Sequence, residues 1–160
     1  YNFVNPDGSF TPPRNPATTS GGAGNLDVAY ADGRYLFLWR SNTLSNANNY
    51  ISGRIMDTAG NFLTPAFVVS EAAGRQLRPV AAWNGTSFIA AWDDQRNQQA
   101  FFDLRTDVYA ARISPNGALL DPSGFLVAGG PQAQTTPAII AGNGAAYVAA
   151  APLQIGRAHV

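Results

Sequence analysis

The most regular feature of the chain is a series of short apolar runs separated by glycine, asparagine, aspartate and proline. In the run 35–39 every side chain is apolar. Alternation along a strand places Tyr35, Phe37 and Trp39 on one face, and Leu36 and Leu38 on the other. A strand that is apolar on both faces must be covered on both sides. The pattern therefore predicts sheets that stack on one another, with these side chains in the core.

This run belongs to an internal repeat. It recurs 53 residues later, so that Trp92 matches Trp39, and a weaker copy runs from Tyr147 to Ala151, with alanine where tryptophan is expected. The flanking segments repeat as well: Gln76-x-x-Pro79 recurs as Gln134-x-x-Pro137, and Gly53-Arg54-Ile55 recurs as Ala111-Arg112-Ile113.

Each repeat holds four apolar runs joined by turn sequences. The first two runs are connected by Asp32-Gly33 or Asn84-Gly85, which supply the positive φ angles of short hairpins. Ser114-Pro115-Asn116-Gly117 after the third run is similar to the Asp-box of sialidase-type propellers, but it lacks the spacing and the aromatic residue and is interpreted as a turn. Four antiparallel strands in roughly 50 residues are typical of a propeller blade. The predicted fold is all-β, a partial β-propeller of four-stranded antiparallel blades.

The predicted organisation follows the repeat. Residues 1–24 form the end of a preceding blade and a link, 25–77 and 78–135 form one blade each, and 136–154 begin a further blade. Residues 155–160 match the translation of a common sequencing adapter, so we expect them to be an artefact. That interpretation removes His159, the one histidine of the sequence, from every candidate mechanism.

Composition narrows the possible functions. Ten basic and ten acidic residues give a net charge of zero, which argues against nucleic acid as a partner and against a polybasic membrane patch. No run is long enough for a transmembrane helix, so no membrane insertion is predicted. The absence of cysteine excludes disulfides and thiolate metal sites. We expect no cofactor.

The candidate chemistry lies in the longer connections, which share one end of each predicted sheet. Four aspartates between residues 93 and 107 bracket the longest connection. One interpretation is a Ca²⁺ site or a pair of glycosidase carboxylates. The other is structural: Asp93 or Asp94 pairs with Arg96 or Arg112 and ties the loop to the sheet.

Phe101 and Phe102 in this loop either anchor it or mark a contact surface. The sequence contains no recognisable catalytic constellation and no metal-ligand spacing. The candidate binding residues are Asp93, Asp94, Arg96, Phe101, Phe102, Asp103 and Asp107. The predicted structural core contains Tyr35, Phe37, Trp39, Phe88, Trp92, Tyr109 and Arg112.

The succession Gln-x-x-Pro, Trp-x-Asp-x-Arg, Tyr-x-x-Arg-Ile and Asp-Pro resembles a family of bacterial repeats in large secreted proteins of unknown function. The second unit carries the resemblance best, whereas Arg40-Ser41-Asn42 departs from it. The resemblance implies a propeller-like fold and an extracellular or cell-surface location. We therefore expect a non-catalytic binding or scaffold module whose partners are a glycan or protein ligand and the remaining blades. The alternative is a fragment of a propeller glycoside hydrolase or sialidase-like enzyme.

Overall fold

The computed structural model describes residues 1–2, 4–12, 14–17, 22–42, 49–98 and 105–152. Residues 155–160, the suspected artefact, lie outside this part of the chain. All ten regular elements of the described residues are β-strands: β1 Ala23–Ala31, β2 Arg34–Asn42, β3 Asn49–Asp57, β4 Phe67–Ser70, β5 Gln76–Trp83, β6 Phe88–Asp94, β7 Asp107–Ile113, β8 Phe125–Ala128, β9 Gln134–Gly142 and β10 Ala145–Pro152.

The strands form three antiparallel sheets in chain order. Sheet I has the order β1-β2-β3-β4, sheet II has the order β5-β6-β7-β8, and sheet III consists of β9 and β10. The prediction of an all-β fold with antiparallel four-stranded units is therefore confirmed. The described strands do not close into a barrel or a ring of sheets.

Sheets I and II are packed face to face. Leu36 and Leu38 of β2 share one core cluster with Phe88, Ala90 and Trp92 of β6. All five side chains are fully buried. The apolar face of β2 that carries the two leucines is therefore covered by the next sheet, as the sequence pattern predicts.

The opposite faces of both sheets are covered as well. Phe37 and Trp39 of sheet I are buried with Met56 against Tyr1 and Ala17 of the N-terminal segment, which we define as the described part of residues 1–17. On sheet II, the buried side chains Ile89, Ala91 and Ala110 pack against the sheet III residues Ile139, Ala146 and Val148. The order of the stack is thus N-terminal segment, sheet I, sheet II and sheet III.

The first strands lie closest together in this stack, because β1 packs on β5 and β5 packs on β9. The fourth strands, β4 and β8, have only four residues each, against nine in β1 and eight in β5. The described residues show no comparably extensive contact between β4 and β8. The sheets are therefore in closest contact along their first strands.

Each first strand contains a β-bulge at the same place. The first bulge residues, Asn25, Arg78 and Thr136, have φ angles of 50°, 48° and 56°. In each case two residues of the first strand lie opposite a single residue of the second strand, namely Trp39, Trp92 or Ala150. The bulge also accounts for the Gln-x-x-Pro motif, since proline is tolerated where no ladder hydrogen bond is donated.

The structural repeat corrects the third sequence match by one residue. Ala150, and not Ala151, lies at the tryptophan position, so Ala146 corresponds to Tyr35 and Phe88. Tyr147 consequently lies on the opposite face and is 63% exposed. The hairpin turn explains the shift: Asn143-Gly144 is a two-residue turn like Asp32-Gly33, whereas β5 and β6 are joined by the four residues Asn84 to Ser87.

Arg112 was predicted to lie in the core, but in the structure it lies at the surface. The matching hydrogen bonds Leu63 N to Ile55 O and Leu120 N to Arg112 O show that Arg112 corresponds to Ile55 and not to Arg54. Its side chain is 51% exposed and forms an ion pair with Asp121, with 2.9 Å between Nη2 and Oδ1. A guanidinium at this position stays hydrated, which is the less costly arrangement for a charge.

The turn after the third strand occurs three times. In the segments 5–9, 57–61 and 114–118, the glycine N–H donates to the carbonyl of the first residue, and the first and last residues are also joined by a backbone hydrogen bond. Isolated bridges close the turns, between Val4 and Phe10 in the first copy and between Met56 and Phe62 in the second. The N-terminal segment therefore has the structure that follows a third strand.

Candidate functional site

The Trp-x-Asp-x-Arg motif forms a closed hydrogen-bond network at the end of β6. Asp94 is 1% exposed and its Oδ2 accepts hydrogen bonds from Trp92 Nε1, at 2.7 Å, and from Arg96 Nη2, at 2.6 Å. Its Oδ1 accepts from the backbone N–H of Arg96 at 2.8 Å. Three donors on one carboxylate compensate its burial. Asp94 therefore holds the start of the β6–β7 loop against the core.

The guanidinium of Arg96 extends this network to two neighbouring elements. Its Nη1 donates to the carbonyl of Ser123 at 2.7 Å, and its Cζ lies 3.9 Å from the centroid of the Tyr109 ring. Gly124 is packed so closely against Trp92 that a Cβ atom there would lie 3.0 Å from the indole. These contacts join the β6–β7 loop, β7 and the β7–β8 connection, which favours the structural interpretation of Asp94 and Arg96.

Asp93 points to the other side of β6 and joins sheets II and III. It is fully buried, its Oδ1 accepts from the backbone N–H of Thr136 at 3.0 Å, and its Oδ2 accepts from Arg78 Nε. Arg78 Nη2 in turn donates to Thr135 Oγ1. Burial raises the pKa of the Asp93 carboxyl above its ordinary value, and the charge of Arg78 opposes that rise.

The ion pairs differ in part from those considered for the sequence. Asp94 pairs with Arg96, as one alternative proposed, but Asp93 pairs with Arg78 and neither aspartate pairs with Arg112. Arg78 was not predicted, because it lies 15 residues before Asp93 and reaches it only through the bulge in β5. The only feature of the sequence that could have indicated a role for Arg78 is its position between the glutamine and the proline of the repeated Gln-x-x-Pro motif.

Asp107 lies beside a small polar pocket at the loop end of sheet II. Its Oδ2 accepts from Asn97 Nδ2 at 2.8 Å, and the same amide donates to the Tyr109 hydroxyl at 3.2 Å. The pocket has a volume of about 190 Å³. It is lined by Asp94, Asn97, Gln98, Arg105, Asp107 and Gly130.

The pocket brings together two of the predicted binding residues, Asp94 and Asp107. Arg96 is tied into the network beneath it, and Asp93 faces sheet III. The predicted residues Phe101, Phe102 and Asp103 lie outside the described residues. The pocket residues Asn97, Gln98 and Arg105 were not singled out in the sequence, where they are ordinary polar positions of a long loop.

The part of the chain that the structure describes contains neither a cluster of metal-ligating side chains nor a membrane-spanning helix. It contains no group of three or more histidine, cysteine, aspartate or glutamate side chains placed to hold a metal ion. None of its elements is a helix long and apolar enough to cross a membrane.

Comparison with protein-family models, with the curated proteins and with the solved structures finds no match for the chain. The resemblance to the bacterial secreted repeats therefore stays a prediction.

Proposed function

We propose that the chain is part of a β-propeller and acts as a non-catalytic binding or scaffold module of a longer extracellular bacterial protein. Sheets arranged radially approach one another along their first strands and diverge at their fourth strands. The packing of β1 on β5 and of β5 on β9, together with short outer strands, supports this arrangement.

The observation that carries a binding function is the polar pocket at the loop end of sheet II. Its lining offers carboxamide, carboxylate and guanidinium groups within a volume of about 190 Å³. The guanidinium donates hydrogen bonds, the carboxylates accept them and the carboxamides do both, which is the combination that a ligand rich in hydroxyl groups requires. We therefore propose a glycan as the ligand, contacted through Asn97, Gln98 and Asp107.

The aspartates of β6 support binding over hydrolysis. A glycosidase needs one carboxyl group that protonates the leaving oxygen and a second that acts as base or nucleophile. Asp94 already accepts three hydrogen bonds from Trp92 and Arg96, and Asp93 is buried between sheets II and III. Both carboxylates have structural partners that explain their positions.

A glycan array followed by titration calorimetry tests the proposal. Asn97→Ala should weaken binding of the glycan selected on the array by about tenfold, which corresponds to about 1.4 kcal/mol. Asn116→Ala is the matched control, because Asn116 is exposed on the turn at the opposite end of sheet II. Equal affinities of the two variants, or the absence of any glycan ligand, would contradict the proposal.

A parallel assay with chromogenic glycosides addresses the hydrolase alternative. The proposal expects no turnover by the wild-type chain. Turnover that is lost in Asp107→Asn and retained in Asp121→Asn would instead favour an enzyme, since Asp107 lines the pocket whereas Asp121 pairs with Arg112 away from it.

A further inference from the structure

Three turns of the chain contain an asparagine followed by a glycine, and they differ in how the asparagine side chain is held. The three steps are Asn84-Gly85, Asn116-Gly117 and Asn143-Gly144. The main-chain nitrogen of a glycine is unshielded by a side chain, so it can attack the amide carbon of the preceding asparagine and close a cyclic imide. The folded geometry of each turn therefore determines which of the three asparagines reacts.

The side-chain oxygen of Asn84 is surrounded by four hydrogen-bond donors. Its Oδ1 accepts from the backbone N–H groups of Thr86, at 3.0 Å, and Ser87, at 2.8 Å. It also accepts from the hydroxyl groups of the same two residues, each at 3.2 Å. All of these groups lie within residues 84–87, so the arrangement is a property of this turn itself. It holds the Asn84 side chain over the peptide of Gly85.

The nitrogen of Gly85 is available for such an attack. None of the turn hydrogen bonds of the described residues uses the Gly85 N–H. Gly85 is exposed and has a φ of 99°, a conformation that favours glycine. The turn thus places an accessible main-chain nitrogen beside a carbonyl group whose oxygen is already polarised by donors.

Each of the other two steps lacks one of these features. The Gly117 N–H donates to the carbonyl of Ser114 at 2.9 Å, so its nitrogen can attack only after the turn opens. Asn143 forms a two-residue turn with Gly144, and within the described part of the chain its side chain makes no hydrogen bond. Among the three steps, Asn84 alone combines an accessible nitrogen with a polarised side-chain carbonyl.

We propose that Asn84 is a self-modifying site, at which the folded protein converts asparagine into aspartate and isoaspartate. The Gly85 nitrogen loses its proton to hydroxide and forms a bond to Asn84 Cγ. The negative charge passes to Oδ1, where the donors of Thr86 and Ser87 stabilise it as an oxyanion hole does. The bond between Cγ and Nδ2 then breaks, Nδ2 takes a proton from water and leaves as ammonia, and the cyclic imide remains.

Water completes the modification. One water molecule adds to either carbonyl of the imide, and the bond from that carbonyl to the Gly85 nitrogen breaks. Opening at Cγ gives aspartate, whereas opening at the main-chain carbonyl gives isoaspartate, in which the chain continues through the side chain. An aspartate at position 84 retains the four donors on a carboxylate, which is a stronger acceptor than an amide.

The isoaspartate product acts on the contact between sheets II and III. The turn at Gly85 lies against the turn that joins β9 and β10, because a Cβ atom on Gly85 would lie 3.1 Å from the Gly144 Cα. Isoaspartate adds one carbon to the main chain immediately before Gly85, so the turn must shift at this contact. The site lies at the end of sheet II opposite the polar pocket, and the inference does not rest on glycan binding.

Peptide mapping of the full chain by mass spectrometry tests the proposal. The chain is incubated at mildly alkaline pH, once folded and once unfolded in guanidinium chloride, and the loss of each asparagine is followed over time. Folding should accelerate the loss of Asn84 by at least about tenfold, because the reacting groups are held in place, and should slow the loss of Asn116. Loss of Asn84 that is equally fast or slower in the folded chain would overturn the proposal.

The two hydroxyl donors test the mechanism. Thr86→Val combined with Ser87→Ala removes both hydroxyl groups and keeps the backbone donors. In the folded chain this double variant should slow the loss of Asn84 by about tenfold, which is less than the loss of one donor costs an enzyme's oxyanion hole. Thr58→Val is the matched control, because Thr58 is exposed on another turn, and it should leave the rate unchanged. An equal rate in the double variant and the control would exclude the role of the donors, and the comparison of folded with unfolded wild type is independent of either variant.

Discussion

At the scale of single residues, Trp39 and Trp92 occupy equivalent positions in different polar environments. The indole N–H of Trp92 donates to Asp94, whereas that of Trp39 is buried with no hydrogen-bond partner among the described residues. Ser41 stands where sheet II has Asp94, and its hydroxyl pairs with that of Ser52 at 2.8 Å. The same residue type is thus fully satisfied in one sheet and not in the other.

This difference predicts unequal effects of the same substitution. Trp92→Phe removes a hydrogen bond to a buried carboxylate, which is worth about 1.5–3 kcal/mol, whereas Trp39→Phe removes a donor without a partner. The lost volume is the same in both variants. We expect the free energy of unfolding to fall more for Trp92→Phe by about 2 kcal/mol. Urea denaturation at one fixed protein concentration measures the difference, and equal losses would contradict it.

The buried carboxyl of Asp93 predicts a specific dependence of stability on pH. Because burial raises its pKa in the folded state, the folded protein binds the proton more tightly than the unfolded chain does. Lowering the pH from the raised pKa towards the ordinary value of 3.8 should therefore stabilise wild type relative to Asp93→Asn. The urea midpoints of both proteins, measured between about pH 3.5 and 7, test this difference in stability. This pH range includes the ordinary pKa values of carboxyl groups.

Asp121 provides a control of opposite sign. The hydrogen bonds from Arg112 hold the pKa of Asp121 below its usual value, so its contribution is present above 3.8 and is lost as the pH falls through the lowered pKa. Wild type should therefore lose stability relative to Asp121→Asn as the pH falls below 3.8, so the urea midpoints of this pair are measured down to about pH 2. A flat difference for Asp93→Asn, or the same sign for both variants, would refute the assignment.

At the scale of the elements, the feature that all three sheets have in common is the β-bulge in the first strand. Asn25 suits its left-handed conformation, because asparagine tolerates positive φ, but Thr136 at φ 56° is β-branched and strained. The backbone N–H of Thr136 donates to Asp93, so the conformation also serves the contact between sheets II and III.

Relief of this strain should stabilise the fold. Thr136→Asn keeps the backbone donor and removes the β-branch, and we expect it to raise the free energy of unfolding by about 1 kcal/mol. Thr136→Val has the same branching and should give no such gain. Thermal unfolding of wild type, Thr136→Asn and Thr136→Val measures these differences in stability. An equal gain in stability for both variants would show that relief of backbone strain is not the cause.

The strand order and the tight turns could be predicted from the sequence, because apolar runs and Asp-Gly or Asn-Gly steps are local signals. The exact register of the strands could not be predicted from the sequence. The third repeat was misplaced by one residue, since a two-residue turn and a four-residue turn both contain Asn-Gly, at Asn143 and at Asn84. One residue inverts the two faces of a strand, which is why Tyr147 was matched to an inward position.

At the scale of the whole molecule, the contacts of Asp93 show what local patterns cannot reveal. Arg78, 15 residues away, reaches Asp93 through the bulge in β5, and Thr136, 43 residues away, reaches it only when sheet III stacks on sheet II. The polar pocket depends in the same way on two separate connections, which contribute Asn97 and Gly130. The sequence indicated the loop end as the place for a site, and the stacking determines which loop residues meet there.

The stack also predicts a gradient of stability along the chain. Every residue of β6 is buried between sheets I and III, whereas the described residues cover sheet III on one face only. Amides of residues 88–94 should exchange with solvent only on global unfolding, and those of residues 145–152 should exchange faster through local opening. Hydrogen exchange measured by mass spectrometry at low protein concentration compares the two segments. Equal protection of the two segments would mean that sheet III is stable although one of its faces is exposed.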